Sequence, residues 1–426
     1  MDFFTPVSVL VLLISGIYFS FYTKLFQFRT KVICRNTVGY LIKKRELSGF
    51  KAMSLALGST IGIGNIIGVT AAIIIGGPGA VLWMLFTGFL GMILKFVEVN
   101  LCVTESIFSK RKNGGPMYLL SNCKSIFLKK LGILFAVICV LASIFAGNLM
   151  QSKSIYRFMD IGFDVGFVPV TVILLPMFAI ILSGNDKLYQ NLSSILVPLM
   201  ALLYVISMFI ILLQNSNYLS LAITLIFKSA FGFKEIGGGF SGAVISLAIK
   251  QGVMKGLFTH EAGMGSSPIA HCSSDNKDPL RQGCWGIIEV FIDTVVVCML
   301  TALAVISSPL YLSDAFTDPF QLICGIYKSA FGSFGLKSLS ISVVCFAFAS
   351  IIGWSYYGIK SLDFLTEKSF CKKIYISVFI FCIPLSCFLD ESFVWFMTDL
   401  FNSMMLLPNI TTMFIFRKSL VIKTAT

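Results

Sequence analysis

The chemistry available to this sequence is concentrated in two apolar stretches interrupted by glycines and polar groups. One reads Gly58-Ser59-Thr60-Ile61-Gly62-Ile63-Gly64-Asn65-Ile66-Ile67-Gly68. The other reads Gly252-Val253-Met254-Lys255-Gly256-Leu257-Phe258-Thr259-His260-Glu261-Ala262-Gly263-Met264-Gly265. Each glycine costs a helix about 1 kcal/mol relative to alanine, so several of them beside Asn65 or Glu261 predict local unwinding. Unwound backbone at membrane depth survives only where it lines a cavity. There its free N–H groups can hold a carboxylate and its free carbonyls a cation. The competing reading is small-residue helix packing of the GxxxG kind, which Gly58 to Gly62, Gly64 to Gly68 and Gly252 to Gly256 also fit.

Single residues sharpen the picture. Gly62 and Gly64 let the backbone approach a ligand with no Cβ in the way. Asn65 follows, and its carbonyl either ligates a cation or bonds the freed backbone. The carbonyls of Gly58 and Ile61 precede the break and are expected to face Ser350. Carbonyls and a hydroxyl together make the hard oxygen cage a small cation needs, although a membrane serine often bonds its own helix. Trp354 lies one turn beyond Ser350. It either walls off a pocket just beyond a methyl group or sits at the interface. Glu261 is an intramembrane acid, a functional hypothesis by default: it can bind a proton, order the broken segment or pair with Lys255. Glu98 has Lys95 three residues earlier, a helical-face pair. Asp293, beside Thr294, and Asp399 are buried acids for which the sequence names no partner. The two histidines, His260 and His271, form no HExxH or carboxylate-flanked pair, so no metal site is expected.

The elements that must position these groups are membrane helices. The chain has 426 residues, of which 57% are apolar and only 12% charged, about half the charge of a soluble domain. That excludes a soluble enzyme, a disordered chain and a nucleic-acid-binding domain. Eleven long apolar runs are each near the ~20 residues a span needs: 6–23, 52–76, 80–104, 131–151, 163–183, 192–214, 237–266, 284–308, 338–362, 373–389 and 392–416. The first is too long and too weakly flanked for a cleaved signal peptide. The runs are continuous rather than alternating, so they are helices and not barrel strands. With the N-terminus outside and the C-terminus cytoplasmic, 24 Lys and Arg fall in inner connections and 6 in outer ones. This bias is the positive-inside pattern. The net charge of +13 is therefore a topology signal, facing an anionic inner leaflet with no nucleic-acid partner. Twelve scattered cysteines contain no CxxC pair and predict neither zinc knuckle nor disulfide framework.

The interrupted spans are the second and the seventh, five apart. Setting aside residues 1–28 as an extra N-terminal helix, 52–214 and 237–416 form two groups of five helices within a single transporter domain over 1–426. Five is odd, so the second group enters the membrane from the opposite side. That is the arithmetic of an inverted repeat with a binding site between two broken helices.

Several stretches resemble the alanine/glycine:cation symporter family. They are GIGNIIGV with GGPGAVLWM and GMILKFVE (62–98), GGPMYLL (114–120), GLFTHEAGMGSSPIAH through RQG and FIDT (256–294), FAFASIIGWSYYG (346–358) and TDLFNSMMLLPN (398–409). The resemblance runs along nearly the whole chain. It implies an all-α membrane protein of LeuT-type five-plus-five fold that moves small amino acids, mainly alanine and glycine, with Na⁺ or H⁺. It makes the amides of Gly62 and Gly64 candidate ligands of the substrate carboxylate and Gln151 a candidate substrate contact, with Asn65, Gly256, Phe258, Ser350 and Trp354 beside them. Gly58, Ile61, Asn65 and Ser350 are the candidate cation ligands, and Glu261 and Asp293 candidate coupling or gating acids. Ile63 replaces the family's usual Thr, and Thr259-His260 its Ser-Asn, which bears on substrate range or coupling ion.

The expected function is therefore a secondary symporter of small neutral amino acids, D-alanine among the candidates, in the inner membrane of a bacterium. No cofactor is expected beyond the coupling ion. A channel and a membrane-embedded enzyme are the alternatives. Against the enzyme, no nucleophile–base set is evident; against a primary pump, there is no GxxxxGK[ST] loop.

Overall fold

In the computed structural model, residues 4–422 are described except 112, 185, 233–240, 314 and 315. They fold as helices, with no strand among the described residues. The N-terminal helix Phe4–Tyr22 packs beside Ala80–Phe108 and Glu391–Phe416. The first interrupted stretch is two half-helices, Ser48–Thr60 and Ile67–Gly76, joined through a 3₁₀ turn at Ile63–Asn65. The second is Ser241–His260 and the short Ser267–His271; of the expected 237–266 span, residues 237–240 lie outside the described residues.

Between them run Ala80–Phe108, then Ile126–Ile144 continuing through Phe145–Leu149 into Met150–Phe163, then Phe167–Leu182 and Asp186–Gln214. After the second break come Pro279–Val290 continuing to Ile306, Ser333–Leu365, Ser369–Leu385 and Glu391–Phe416. Ala80–Phe108, Ile126–Phe163, Asp186–Gln214, Pro279–Ile306 and Ser333–Leu365 are each long and apolar enough to cross a membrane as single helices.

One boundary differs substantially from its apolar run. The 131–151 run ends where the sequence turns polar, but the helix continues to Phe163. At 38 residues it is about 57 Å long at 1.5 Å per residue, well beyond a ~30 Å hydrocarbon core. Its far end is held by polar contacts: Arg157 pairs with Asp318 at 3.3 Å and Glu391 at 3.1 Å, and lies 3.5 Å over the Phe320 ring. Hydropathy ends a span where water begins; side-chain pairing carries the helix further.

The second broken helix packs through its small residues. A Cβ on Gly252 would overlap the Ala80 carbonyl, and one on Gly256 would overlap the Thr87 hydroxyl. Gly252 and Gly256 thus fit their half-helix against Ala80–Phe108. The open side of Gly256 faces Thr87 and Met84, a small-residue contact of the kind that packs membrane helices.

Candidate functional site

The first break begins where Ile61 turns extended (φ −72°, ψ 102°) and Gly62 follows at φ −145°, ψ −155°. The freed amides have partners. Gly62 N–H donates to Asn65 Oδ1 at 3.0 Å, and Ile63 N–H donates to Gln151 Oε1 at 3.4 Å. Asn65 thus bonds freed backbone with the side-chain oxygen that was the candidate cation ligand. Its Nδ2 donates to Asp293 Oδ1 at 2.6 Å. Asp293 also accepts from Thr294 at 2.9 Å, so this acid does have a partner, 228 residues away in sequence.

Two helices close on Gly62. A Cβ there would stand 2.8 Å from Ser350 Oγ and 3.2 Å from the Gln151 amide. Ser350 Oγ donates to the Ser59 carbonyl at 3.0 Å. Ser350 therefore reaches across to the end of the first half-helix rather than back to its own. The carbonyl it meets is Ser59, the residue between Gly58 and Ile61 that the sequence did not single out. Gly58 itself packs toward Val197 and Ala349.

Gly64 joins the two breaks. Its missing Cβ would lie 2.6 Å from the Phe258 ring and 3.4 Å from Thr259, so only glycine admits this approach. The Phe258 ring lies tilted against Trp395, with 5.4 Å between centroids.

The second break is a run of left-handed backbone: Glu261 (φ 50°), Gly263 (φ 84°) and Gly265 (φ 81°). A non-glycine residue held there is strained and needs fixing by its neighbours. Glu261 Oε2 accepts from Ser266 at 2.8 Å and Oε1 from Trp354 Nε1 at 3.1 Å. The Lys255 pairing considered for Glu261 does not occur. Lys255 instead pairs with Asp399 at 3.8 Å and covers the Trp395 ring at 4.1 Å. Asp399, too, is therefore partnered. Trp354 is buried, and its Cβ rests where Gly147 has none. Ser350 and Trp354 share a helix face, and the first touches one break while the second touches the other.

Both helix irregularities flanking these contacts are π-helical, at Phe145–Leu149 before Gln151 and at Phe291–Cys298 around Asp293. Such bulges often mark functional sites because they re-aim side chains within a continuous helix.

Sequence reasoning missed one cluster. Lys95 lies 3.8 Å from Glu98, the expected pair, but 3.2 Å from Glu289, and donates to Ser267 at 2.6 Å. Glu98 Oε2 accepts from Gly265 N–H at 3.0 Å and from Asn409 at 2.7 Å. Glu289 was a detectable signal, an acid inside an apolar run opposite a buried lysine.

Two discontinuous helices thus meet face to face inside a bundle of helices. The solved structure of MhsT in complex with L-phenylalanine shares the fold, with a TM-score of 0.61, 13% identity and coverage of 86% of this chain and 88% of that one. The sodium:alanine symporter family matches residues 2–426, and the chain belongs to that family. "Sodium/alanine symporter AgcS" of Methanococcus maripaludis is 33% identical over 371 residues, covering 86% of this chain and 81% of that protein. "Probable sodium/glutamine symporter GlnT" of Bacillus subtilis is 31% identical over 417 residues, covering 96% and 85%. The protein is a multi-pass membrane transporter, a cation-coupled amino-acid symporter and not an enzyme.

Proposed function

We propose that this symporter imports small neutral amino acids, alanine and glycine foremost and D-alanine among the candidates, coupled to Na⁺ rather than H⁺. The observation that carries this reading is the convergence of Gln151 and Ser350 on Gly62, with Gly64 pressed on Phe258. The side-chain oxygens of Asn65 and Gln151 now occupy acceptor positions on the break's amides. A substrate carboxylate is the anion those amides suit, and it would displace the neutral oxygens. The Na⁺ ligands are the carbonyls of Gly58 and Ile61 and the hydroxyl of Ser350, whose present acceptor, the Ser59 carbonyl, lies within the same turn. Phe258 and Trp354 restrict the volume. The sodium/glutamine relative marks larger amides as the first competitors to assay. Residues 52–214 and 237–416 act as the two repeats, and ligand binding shifts their equilibrium only through differential affinity.

Uptake into proteoliposomes tests the coupling. Alanine should accumulate against its gradient when Na⁺ is imposed, and accumulation that ignores collapse of the Na⁺ gradient would sink the reading. Ser350→Ala removes one cation oxygen. It should raise the Na⁺ concentration for half-maximal uptake about tenfold, the effect of ~1.4 kcal/mol, while the order of preferred amino acids stays the same. An unchanged Na⁺ dependence assigns Ser350 to helix packing alone.

In this reading the N-terminus lies outside and the C-terminus in the cytoplasm of a bacterial inner membrane, which the Lys and Arg bias of the connections supports. The 24–51 and 105–130 connections then face inward and 309–337 outward. A cysteine at position 112, which lies outside the described residues, should resist an impermeant thiol reagent on intact cells, and one in 309–337 should react. The reverse pattern overturns the topology.

A further inference from the structure

We propose that His271 and Glu289 form a proton-binding site, loaded while the half-helix Ser267–His271 is docked on its neighbours. The cycle in which it operates rests on the symport reading above; the bound proton itself does not.

The argument begins at Gln282. Its Nε2 donates to the Asn276 carbonyl at 2.9 Å and to Ser274 Oγ at 2.9 Å. A backbone carbonyl can only accept, so the amide orientation is fixed. Oε1 therefore faces His271 Nδ1 at 2.9 Å, and Nδ1 must carry a hydrogen. The other ring nitrogen, Nε2, lies 3.3 Å from Glu289 Oε2. An imidazole protonated at Nδ1 alone would point its Nε2 lone pair at a carboxylate oxygen. One proton more is needed between the two.

The rest of the cluster decides which atom holds it. Glu289 Oε1 accepts from Ser267 Oγ at 2.8 Å and faces the Lys95 ammonium at 3.2 Å. Two donors on that oxygen favour the carboxylate, so the proton resides on His271 Nε2 and the ring is an imidazolium. The charges then close: Lys95 is balanced by Glu98 and His271 by Glu289. All four side chains are fully buried, where an unbalanced charge is prohibitive.

The other groups facing the site come from every element around it. They are Glu261 from the break, Asp293 one turn beyond Glu289, and Tyr357 of Ser333–Leu365, whose hydroxyl bonds Ser59 at 2.8 Å and approaches Ser267. Of these, Glu261 has its own donors in Ser266 and Trp354. His260 is the other histidine. Its Nδ1 accepts from Ala262 N–H at 3.0 Å, so that ring is neutral. From His271, contacts run through Gln282 to Asn276, whose side chain bonds the half-exposed Glu46. The site thus has a polar route to the protein surface.

The first test reads protonation directly. With only two histidines in the chain, ¹³C,¹⁵N-histidine labelling of the full-length protein in nanodiscs gives two ring systems in NMR, and His271→Asn assigns them. At neutral pH the His271 ring should carry hydrogen on both nitrogens and the His260 ring on Nε2 only. An unprotonated Nε2 on His271 overturns the proposal, and wild-type protein alone suffices to see it. The second test compares uptake at internal pH of about 6 and about 9, spanning the ordinary histidine range. The ratio of the two rates should change several-fold in wild type. In Glu289→Gln, whatever its absolute rate, the ratio should be flat, because a neutral amide donates to Nε2 and no second proton is needed. Equal ratios in the two proteins overturn the assignment. Failure of Na⁺-driven uptake in wild type counts against the symport reading, not against the ring protonation.

Discussion

Lys95→Met should lower the unfolding free energy by about 3–5 kcal/mol, as removal of one partner from a buried ion pair does. Methionine keeps the stem, so the loss is the ammonium itself. Its removal withdraws the donor to Ser267 at 2.6 Å and the counter-charge of Glu98 and Glu289. Glu289 still has His271 at 3.3 Å; Glu98 is left uncompensated, with Oε1 already lacking a hydrogen bond. The double substitution Lys95→Met/Glu98→Gln should therefore recover most of the loss, since the remaining network is neutral. Denaturant titration in detergent reads both. A single-mutant loss below about 1 kcal/mol, the size of an ordinary substitution, would show that these charges are not paired as described.

Trp354→Ala should change which amino acids are carried. If Trp354 limits the pocket beyond a methyl side chain, larger substrates such as serine, 2-aminobutyrate or valine gain on alanine. One or two methylenes are worth about 1–3 kcal/mol in such a pocket, which corresponds to one to two orders of magnitude in relative uptake. The structure adds a control. Trp354 also donates to Glu261 at 3.1 Å and packs on Gly147, so truncation removes a hydrogen bond and core packing together with volume. Trp354→Phe keeps an aromatic ring of smaller volume and loses the N–H. It should lower the uptake rate through the second break while leaving the order of substrates intact. Competition assays at matched amounts of folded protein separate the two. An identical substrate order in wild type, alanine and phenylalanine variants would remove Trp354 from the pocket.

Much of the fold was legible because its signals are local. Apolar runs and the glycine-rich interruptions each depend on how a segment of about twenty residues is solvated. The break at Gly62 and the left-handed run at Glu261, Gly263 and Gly265 lie inside the interrupted stretches. Helix ends were less legible, as Met150–Phe163 shows, because a polar segment continues a helix when distant residues pair with it.

The sequence by itself determined that two helices must break and that acids buried in the apolar runs must find partners, since a charge in hydrocarbon is costly whatever the fold. Only the tertiary structure decided which partners. Asp293 met Asn65, Lys255 met Asp399 rather than Glu261, Lys95 met Glu289 as well as Glu98, and Glu261 met Trp354. It also decided that Gly256 packs on Thr87 while Gly64 packs on Phe258, although both are glycines in broken helices. These choices depend on each helix's rotation about its axis and on which neighbour it packs against. Both are set by the joint packing of the whole bundle, and neither is a property of any single segment.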